Sequence, residues 1–279
     1  MNKNEKIELI NFSCHASDYR EGEHFNAFHS LGIVLSGIME LNDGQRKKQF
    51  KPGDLYSARK NHLMKFVKHP PENGDFKSLT IYFNEELLRD FSLEYKYEAR
   101  TKQKSAAYIC FQPNKALTSF MQSLLDYEEI LNNKSDTKLI LLKQKEALML
   151  LLEYDITLKD VLFDFSEPHK VDLEAFMNKN FHFNVNLDKF ACLTGRSLAT
   201  FKRDFQKIFN TSPRNWLQQK RLEEALYLLT EKKQTASNIY LDLGFENLSH
   251  FSFAFKKKFG YAPTQLTDAY TFKSNINRN

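Results

Sequence analysis

Cysteine is scarce in this chain. Cys14, Cys110 and Cys192 lie far apart in 279 residues, with no CxxC pair and no histidine at zinc spacing. That pattern argues against a structural metal and fits a reducing, cytoplasmic setting. Long apolar runs are missing too. The longest, around Leu139 to Leu152, is cut by Lys143, Lys145 and Glu146, well short of the ~20 clean residues that a membrane span needs. Met1 to Lys6 leads into no apolar segment or small-residue cleavage site, so neither secretion nor membrane association is expected. The sequence also holds no GxSxG, GxxxxGK[ST], HExxH or GxGxxG. An enzyme would have to build its site from scattered residues, and no cofactor is expected.

What is present is ordinary globular composition, 42% hydrophobic and 27% charged, which excludes disorder, collagen and fibre. At ~150 residues per domain, two domains are expected. The charge is unevenly shared between them. Met1 to His169 carries 23 basic against 25 acidic residues, whereas Lys170 to Asn279 carries 17 against 10, a net +7. A basic final third joined to a near-neutral first part points to a polyanion, whether DNA, RNA or an anionic membrane face, met by the C-terminal part alone.

Up to Asn84 the sequence reads as short strands: Ile7 to Ser13, Gly32 to Ser36, Ile38 to Leu41, Arg46 to Phe50, Leu55 to Ala58, Met64 to Val67 and Ser78 to Phe83. Turn-forming residues separate them at Ser36-Gly37, Asn42-Asp43-Gly44, Pro52-Gly53-Asp54 and His69 to Asp75. Such spacing suggests a small sandwich or barrel of the jelly-roll, cupin-like kind. From Gln112 the apolar period changes to that of helices. Leu117, Phe120, Met121, Leu124, Leu125 and Ile130 share one face, and a second helix from Leu139 to Leu152 is apolar almost all round. A helix of that kind is buried on more than one side. An internal core helix and a homodimer seam both satisfy the pattern. Ser166-Glu167-Pro168 ends the region, so the expected units are residues 1–165, β-rich over 1–100 and helical over 112–165, and residues 170–270, all-α. The fold class is α+β.

Within the first unit Phe25, Phe28, Val34, Met39, Tyr56, Met64, Phe66 and Tyr82 are read as strand residues that either line an apolar effector pocket or simply pack the core. His24 and His29 are five apart rather than in an HxH pair, on opposite faces of a regular strand, so no metal is expected. His62 and His69 read as loop residues.

The second unit repeats one pattern. Leu187 to Thr194 forms a short helix, Gly195 a turn and Ser197 an N-cap, followed by a helix with Phe201, Phe205, Ile208 and Phe209 as its buried stripe. Ala236 to Leu243, Gly244 and a helix from Asn247 with Leu248, Phe251, Phe255 and Phe259 as its stripe do the same. Helix, glycine-bearing turn, helix is the arrangement of a helix-turn-helix. Ser212-Pro213 launches a long helix between the two motifs, of a length to set two readers near the ~34 Å of one DNA turn. The outward residues of the first reader are Leu198, Ala199, Lys202, Arg203 and Gln206, with Ser197 and Lys207 flanking. Those of the second are Ser249, His250, Phe253, Lys256 and Lys257, with Lys258 flanking. Arginine and lysine there can read guanine or neutralise phosphate; a solvated helix end alone would also place lysines at 256 to 258.

The run from Gly244 through Phe245, Phe255-Lys256-Lys257, Phe259-Gly260 and Pro263 closely resembles the AraC/XylS signature. Leu187, Ala191, Gly195, Ser197, Phe201, Phe205, Ser212, Pro213, Trp216 and Arg221 match the first half of that domain. The resemblance spans about Phe176 to Leu266. It departs at Tyr240, where relatives carry a small residue, at Phe253, where they often carry a polar or basic base-reader, and after Pro263, where Thr264-Gln265-Leu266-Thr267 replaces P-x-x-aromatic-basic. The resemblance implies a sequence-specific transcriptional regulator, an activator that binds double-stranded DNA and meets RNA polymerase, controlled through an N-terminal regulatory domain. Control by a small effector, or by a regulatory protein acting as an anti-activator, both fit. From another class, a cupin-type enzyme with an accessory helical domain is the alternative.

Overall fold

The computed structural model describes residues 8–101, 106–132, 137–166, 168 and 170–266. The chain divides into two units, Met1–Glu167 and Pro168–Asn279. Among the described residues no helix is long and apolar enough to cross a membrane.

The first unit is a sandwich of two antiparallel sheets. Its strands are β1 (Ile10–His15), β2 (Tyr19–Phe25), β3 (His29–Ser36), β4 (Ile38–Asn42), β5 (Lys47–Phe50), β6 (Leu55–Ala58), β7 (Leu63–His69), β8 (Phe76–Phe83) and β9 (Tyr108–Cys110). The larger sheet runs β1-β8-β3-β6-β9 and the smaller β2-β7-β4-β5. Alternation along β3 and β8 sends successive side chains to opposite faces of the larger sheet. Val34, Tyr56, Ala58 and Phe76 meet Met39, Leu41, Phe50 and Met64 of the smaller sheet in one buried cluster. Leu31, Ile33, Leu79, Ile81 and Phe83 join a second cluster with the helices.

Those helices are α1 (Glu85–Tyr95), α2 (Lys115–Ser123), α3 (Glu128–Asn132), α4 (Thr137–Tyr154) and α5 (Lys159–Leu162). Asn84 and Asn114 cap α1 and α2 by accepting from the Leu87 and Leu117 amides at 2.9 Å each. Leu87, Leu88 and Phe91 of α1, Leu117, Phe120 and Met121 of α2, and Ala147, Leu148, Leu151 and Leu152 of α4 cover the sheet. The buried Gln144 donates its side-chain amide to the Tyr82 carbonyl, tying α4 to β8.

Several expectations need correction. Two strands, β2 and β9, and helix α1 extend the sequence reading. β2 carries Arg20, Glu21, Glu23 and His24 where apolar alternation would mark a strand, and it is held by backbone pairing to β7. The single helix expected from Leu117 to Ile130 is broken by a tighter 3₁₀ turn, Leu124–Tyr127. That turn changes the residues per turn and rotates the following side chains, so Leu125 and Ile130 are exposed rather than on the buried face. Phe28 lies at a bend between β2 and β3, not in a strand, and His69 closes β7 rather than sitting in a loop. His24 and His29 stand on different strands of different sheets. The start of the first expected strand, Ile7, lies outside the described residues.

The second unit is built from α6 (Leu173–Asn180), α7 (Leu187–Leu193), α8 (Leu198–Phe209), α9 (Pro213–Thr230), α10 (Ala236–Ile239) and α11 (Leu248–Phe259). Asp172, Ser197, Ser212 and Asn247 cap α6, α8, α9 and α11 with side-chain oxygens. Pro213 opens α9, where its missing N–H costs no helical bond.

Gly32 gives a test of the sandwich packing. A Cβ there would fall on the ring of Tyr56 from the neighbouring strand β6, so only glycine allows that close approach. Gly32→Ala is expected to destabilise the first unit by about 1–3 kcal/mol, the usual cost of overpacking. Combined with Tyr56→Leu the effects should be strongly non-additive in urea unfolding; simple additivity would contradict the packing described.

Candidate nucleic-acid interface

In the first motif α7 ends at Leu193 with Thr194 as its C-cap, and Gly195, with a φ of 63°, makes the sharp turn toward Ser197. The Ser197 hydroxyl accepts from the Thr200 amide at 3.2 Å, so this residue starts α8. Arg196 locks the turn from within. Its guanidinium donates to the Thr194 carbonyl at 2.7 Å, the Val171 carbonyl at 3.0 Å and the Asp204 carboxylate at 3.1 Å. The Arg196 hydrogen bond, helped by Lys170 and Arg203, holds the Asp204 carboxyl below its ordinary pKa. Phe201 and Phe205 are buried, and Trp216 of α9 meets Phe205 edge-on at 5.7 Å and Phe209 at a tilt at 4.7 Å between ring centres.

Opposite that stripe Leu198, Ala199, Lys202, Arg203, Gln206 and Lys207 all face solvent. The structure therefore brings the first set of expected contact residues onto one exposed face. Arg203 keeps its Nε 3.9 Å from Asp204 Oδ1, a loose tether that leaves its fork outward. Ile208, expected in the buried stripe, is exposed instead, because Phe205 and Phe209 already fill the space against Trp216.

The second motif has a shorter first helix than the sequence suggests. Regular helix stops at Ile239, and turns carry the chain through Tyr240 to Gly244, with Phe245 N–H donating back to the Tyr240 carbonyl at 2.9 Å. Tyr240 packs partly buried against Leu243, Phe245, Phe251 and their neighbours, so its bulk is accommodated at the motif's own core. Asn247 Oδ1 accepts from the His250 amide at 2.7 Å and starts α11, which Gly260 closes with φ 86°.

Phe251, Ala254 and Phe255 form the buried side of α11. Ser249, His250, Phe253, Lys256 and Lys257 are exposed, Phe253 to 69%. Leu248, expected in the core stripe, is 39% exposed; at the first helical position, before a full turn has formed, it lies beside the core. Lys258 is engaged within the unit, donating to the Glu223 carboxylate at 2.9 Å and the Gln219 carbonyl at 3.1 Å.

One arginine joins the parts. Arg221, buried on α9, donates to the Phe181 carbonyl at 2.8 Å, the Phe183 carbonyl at 2.8 Å and the Gly244 carbonyl at 2.9 Å. It thus ties the segment before α7 to the turn of the second motif. Gly244, φ 82°, has no room for a Cβ: one would meet the His182 carbonyl and the Arg221 guanidinium. Sequence reasoning found Arg221 only through the resemblance and missed Arg196 and Asp204. The available signal was a charged residue next to Leu222 and one turn from Leu217 and Ala225 on an otherwise apolar face.

The effector candidates of the first unit are only partly brought together. Val34, Met39, Tyr56 and Met64 belong to the cluster between the sheets, with Phe66 packed against it. Tyr56 shares a 3.2 Å hydrogen bond with Thr80. Phe25, Phe28 and Tyr82 are half-buried and stand outside that cluster.

Comparison with known proteins finds family models and whole-length relatives. Residues 190–269 match the model of a helix-turn-helix domain, and residues 29–159 match that of the ExsA N-terminal regulatory domain. The virulence regulon transcriptional activator VirF of Yersinia enterocolitica is 30% identical over 273 residues, covering 93% of this chain and 95% of VirF. The HTH-type transcriptional regulator ExsA of Pseudomonas aeruginosa is 24% identical, with 91% of each chain covered. Among solved structures, apo ToxT from Vibrio cholerae aligns over 92% of this chain and 96% of its own, at 11% identity and a TM-score of 0.45.

The arginine knot can be tested directly. Lysine offers a point charge in place of a flat fork, so Arg221→Lys leaves buried carbonyls without donors, each costing roughly 1–3 kcal/mol. The second unit is expected to melt well below the unaltered protein while the first unit's transition stays in place, as followed by calorimetry. An unchanged second transition would show that Arg221 is not the tie described.

Proposed function

This chain belongs to the AraC/XylS family of helix-turn-helix transcriptional regulators, and on that premise we propose that α8 and α11 are its two DNA-reading helices. It is a DNA-binding transcription regulator with an N-terminal regulatory domain, not an enzyme. The observation that carries the proposal is the pair of capped helices, each with a buried aromatic stripe and an exposed face bearing basic residues, joined by α9. That helix has 18 residues, which at ~1.5 Å per residue makes it about 27 Å long. The proposed contacts are Ser197, Leu198, Ala199, Lys202, Arg203, Gln206 and Lys207 on the first reader. On the second they are Ser249, His250, Phe253, Lys256 and Lys257. We assign it as an activator, positioning RNA polymerase at promoters, with its activity set by a small effector of the first unit.

Base readout and phosphate binding separate by position. Arg203 is free to meet a guanine edge in the major groove, a pairing of about 1–3 kcal/mol in discrimination, whereas Lys207 neutralises phosphate. Arg203→Ala should therefore flatten base preference in competition binding, and Lys207→Ala should weaken all duplexes equally and reduce the salt slope. On α11 Phe253 offers no donor, but its ring can rest on a thymine methyl group. Replacing thymine by uracil in the second half of a mapped site should weaken binding by the unaltered protein and leave Phe253→Ala indifferent. An equal loss of Arg203→Ala on cognate and random duplexes would overturn its assignment to base readout, and indifference of the unaltered protein to uracil would overturn that of Phe253.

A second reading concerns self-association. Leu148, a candidate seam residue, is fully buried against the sheet, so it serves the core. Ile130, Leu141, Met149 and especially Leu142, 61% exposed, remain uncovered on α3 and α4. We assign this face to pairing with a second copy through a two-fold interface. Sedimentation equilibrium is expected to show a dimer that Leu142→Glu converts to a monomer with unchanged secondary structure by circular dichroism; a monomeric unaltered protein at tens of micromolar would rule it out.

A further inference from the structure

One end of the larger sheet gathers basic side chains that the DNA-reading function does not use. His29 opens β3 and is 2% exposed. Ser30 pairs with Ala58 across β3 and β6, which brings His29 level with Arg59, itself only 9% exposed. The following loop is fixed against the β2–β3 connection: the Asn61 amide donates to the Asn26 carbonyl at 2.8 Å and the Asn26 amide to the His62 carbonyl at 3.0 Å. Lys60 and His62 thereby join the same neighbourhood. His62 is turned toward the Lys60 carbonyl at 2.9 Å.

Among the described residues, both ring nitrogens of His29 and the Nε of Arg59 are buried without a hydrogen-bond partner. Buried polar groups are nearly always paired, because an unpaired one bears its desolvation cost uncompensated. Burial, with Lys60, Arg59 and His62 adding to it, pushes the His29 imidazole well below its ordinary pKa. It is therefore neutral near pH 7, with one N–H to donate. Burial likewise lowers the Arg59 guanidinium, while Asp164 pulls it up.

We propose that His29 and Arg59 form the seat of a short-chain carboxylate, which accepts hydrogen bonds from Arg59 Nε and the His29 imidazole. A water molecule could accept from either group but would leave the buried guanidinium's charge without an added counter-charge. A planar, singly charged carboxylate matches two donors, whereas a tetrahedral phosphate dianion in so enclosed a place demands more of them. The seat deepens the reading of the first unit as an effector domain and rests on it for its purpose. It lies on the helix-covered face of the sheet, apart from the apolar cluster between the sheets, because His29 shares the side of β3 that carries Leu31 and Ile33.

The position also suggests how occupancy is felt. Asp164 and Phe165 stand at the end of the first unit, where it divides from the second. Asp164 acts on Arg59, and the Phe165 ring is covered by the Arg89 guanidinium at 4.3 Å and the Lys60 ammonium at 5.6 Å. Lys60 and Arg89 both pair with Glu85. A carboxylate on Arg59 competes with Asp164 and so acts on the segment that leads out of the unit.

The test uses the full chain with ¹⁵N-labelled histidine, the His29 signals being assigned by their loss in His29→Gln. Sodium propionate is expected to move those signals saturably, where sodium chloride at equal ionic strength does not, and Arg59→Gln should weaken the apparent affinity at least tenfold. If Arg59→Gln does not fold, Arg59→Lys, which keeps the charge and removes Nε, must show the same loss. No saturable shift, saturation by inorganic phosphate but not propionate, or equal affinity in the Arg59 variant would each overturn the proposal. Retention of the genomic fragments that the protein selects is measured with and without propionate as a separate arm. A saturable His29 shift with unchanged retention confirms the seat and removes the effector role.

Discussion

The second unit depends on a single buried guanidinium. A charged group inside a protein is tolerated only when its donors are spent on well-placed acceptors, and Arg221 spends them on three main-chain carbonyls from two distant stretches, Phe181 and Phe183 on one side and Gly244 on the other. Its position on α9 makes that helix a common wall. Trp216, near its start, packs against α8, and Leu222, Ala225 and Leu229 farther along pack with α10 and α11. The turn of the second motif is held by the same group that closes the first motif's flank. This explains why Gly244 has to be glycine on two counts, its backbone conformation and the proximity of Arg221.

Around that knot, α8 and α11 are each fixed at both ends by local chemistry and along one side by rings. Ser197 and Asn247 start the helices, Asn210 and Gly260 end them in the left-handed conformation, and phenylalanines hold the inner faces. With the inner face so occupied, the outer face is left to residues with no structural duty. Arg196 and Lys258 show the converse. Both are basic and belong to the two helix-turn-helix motifs, yet each is consumed by contacts within the unit. Charge alone therefore does not identify a contact residue; a basic side chain must also be left over after the turn and helix ends are satisfied.

The first unit follows a different constraint, a sheet buried on both faces. Its two clusters are separated by the alternation of β3 and β8, and α4 is keyed to the end of β8 through Gln144 and the Tyr82 carbonyl as well as by leucines. His29 sits on the helix-covered side of this sheet, its ring nitrogens without a hydrogen-bond partner among the described residues. Together with Arg59 Nε it makes up the buried side-chain groups left without a hydrogen bond among the described residues, and the carboxylate proposed for that place would satisfy both.

Much of this was legible in the amino-acid order, because local rules produced it. Helix caps at Ser197, Ser212 and Asn247, turns at Gly195 and Gly244, the period of Phe201 and Phe205, and strand breaks such as Pro52-Gly53 all act within a few residues. The repeated motif and its family resemblance followed from them. Non-local packing decided the rest. β2 is a strand because β7 offers it backbone partners, despite its charged sequence. Leu125, Ile130, Ile208 and Leu248 are exposed because a 3₁₀ turn, a tryptophan or a helix start altered which side met the core. The roles of Arg221, Arg196 and Asp204, and the meeting of His29 with Arg59, depend on contacts across 8 to 40 residues of chain. A linear pattern records which residues can be buried; only the assembled neighbours determine which polar group finds a partner and which is left waiting for one.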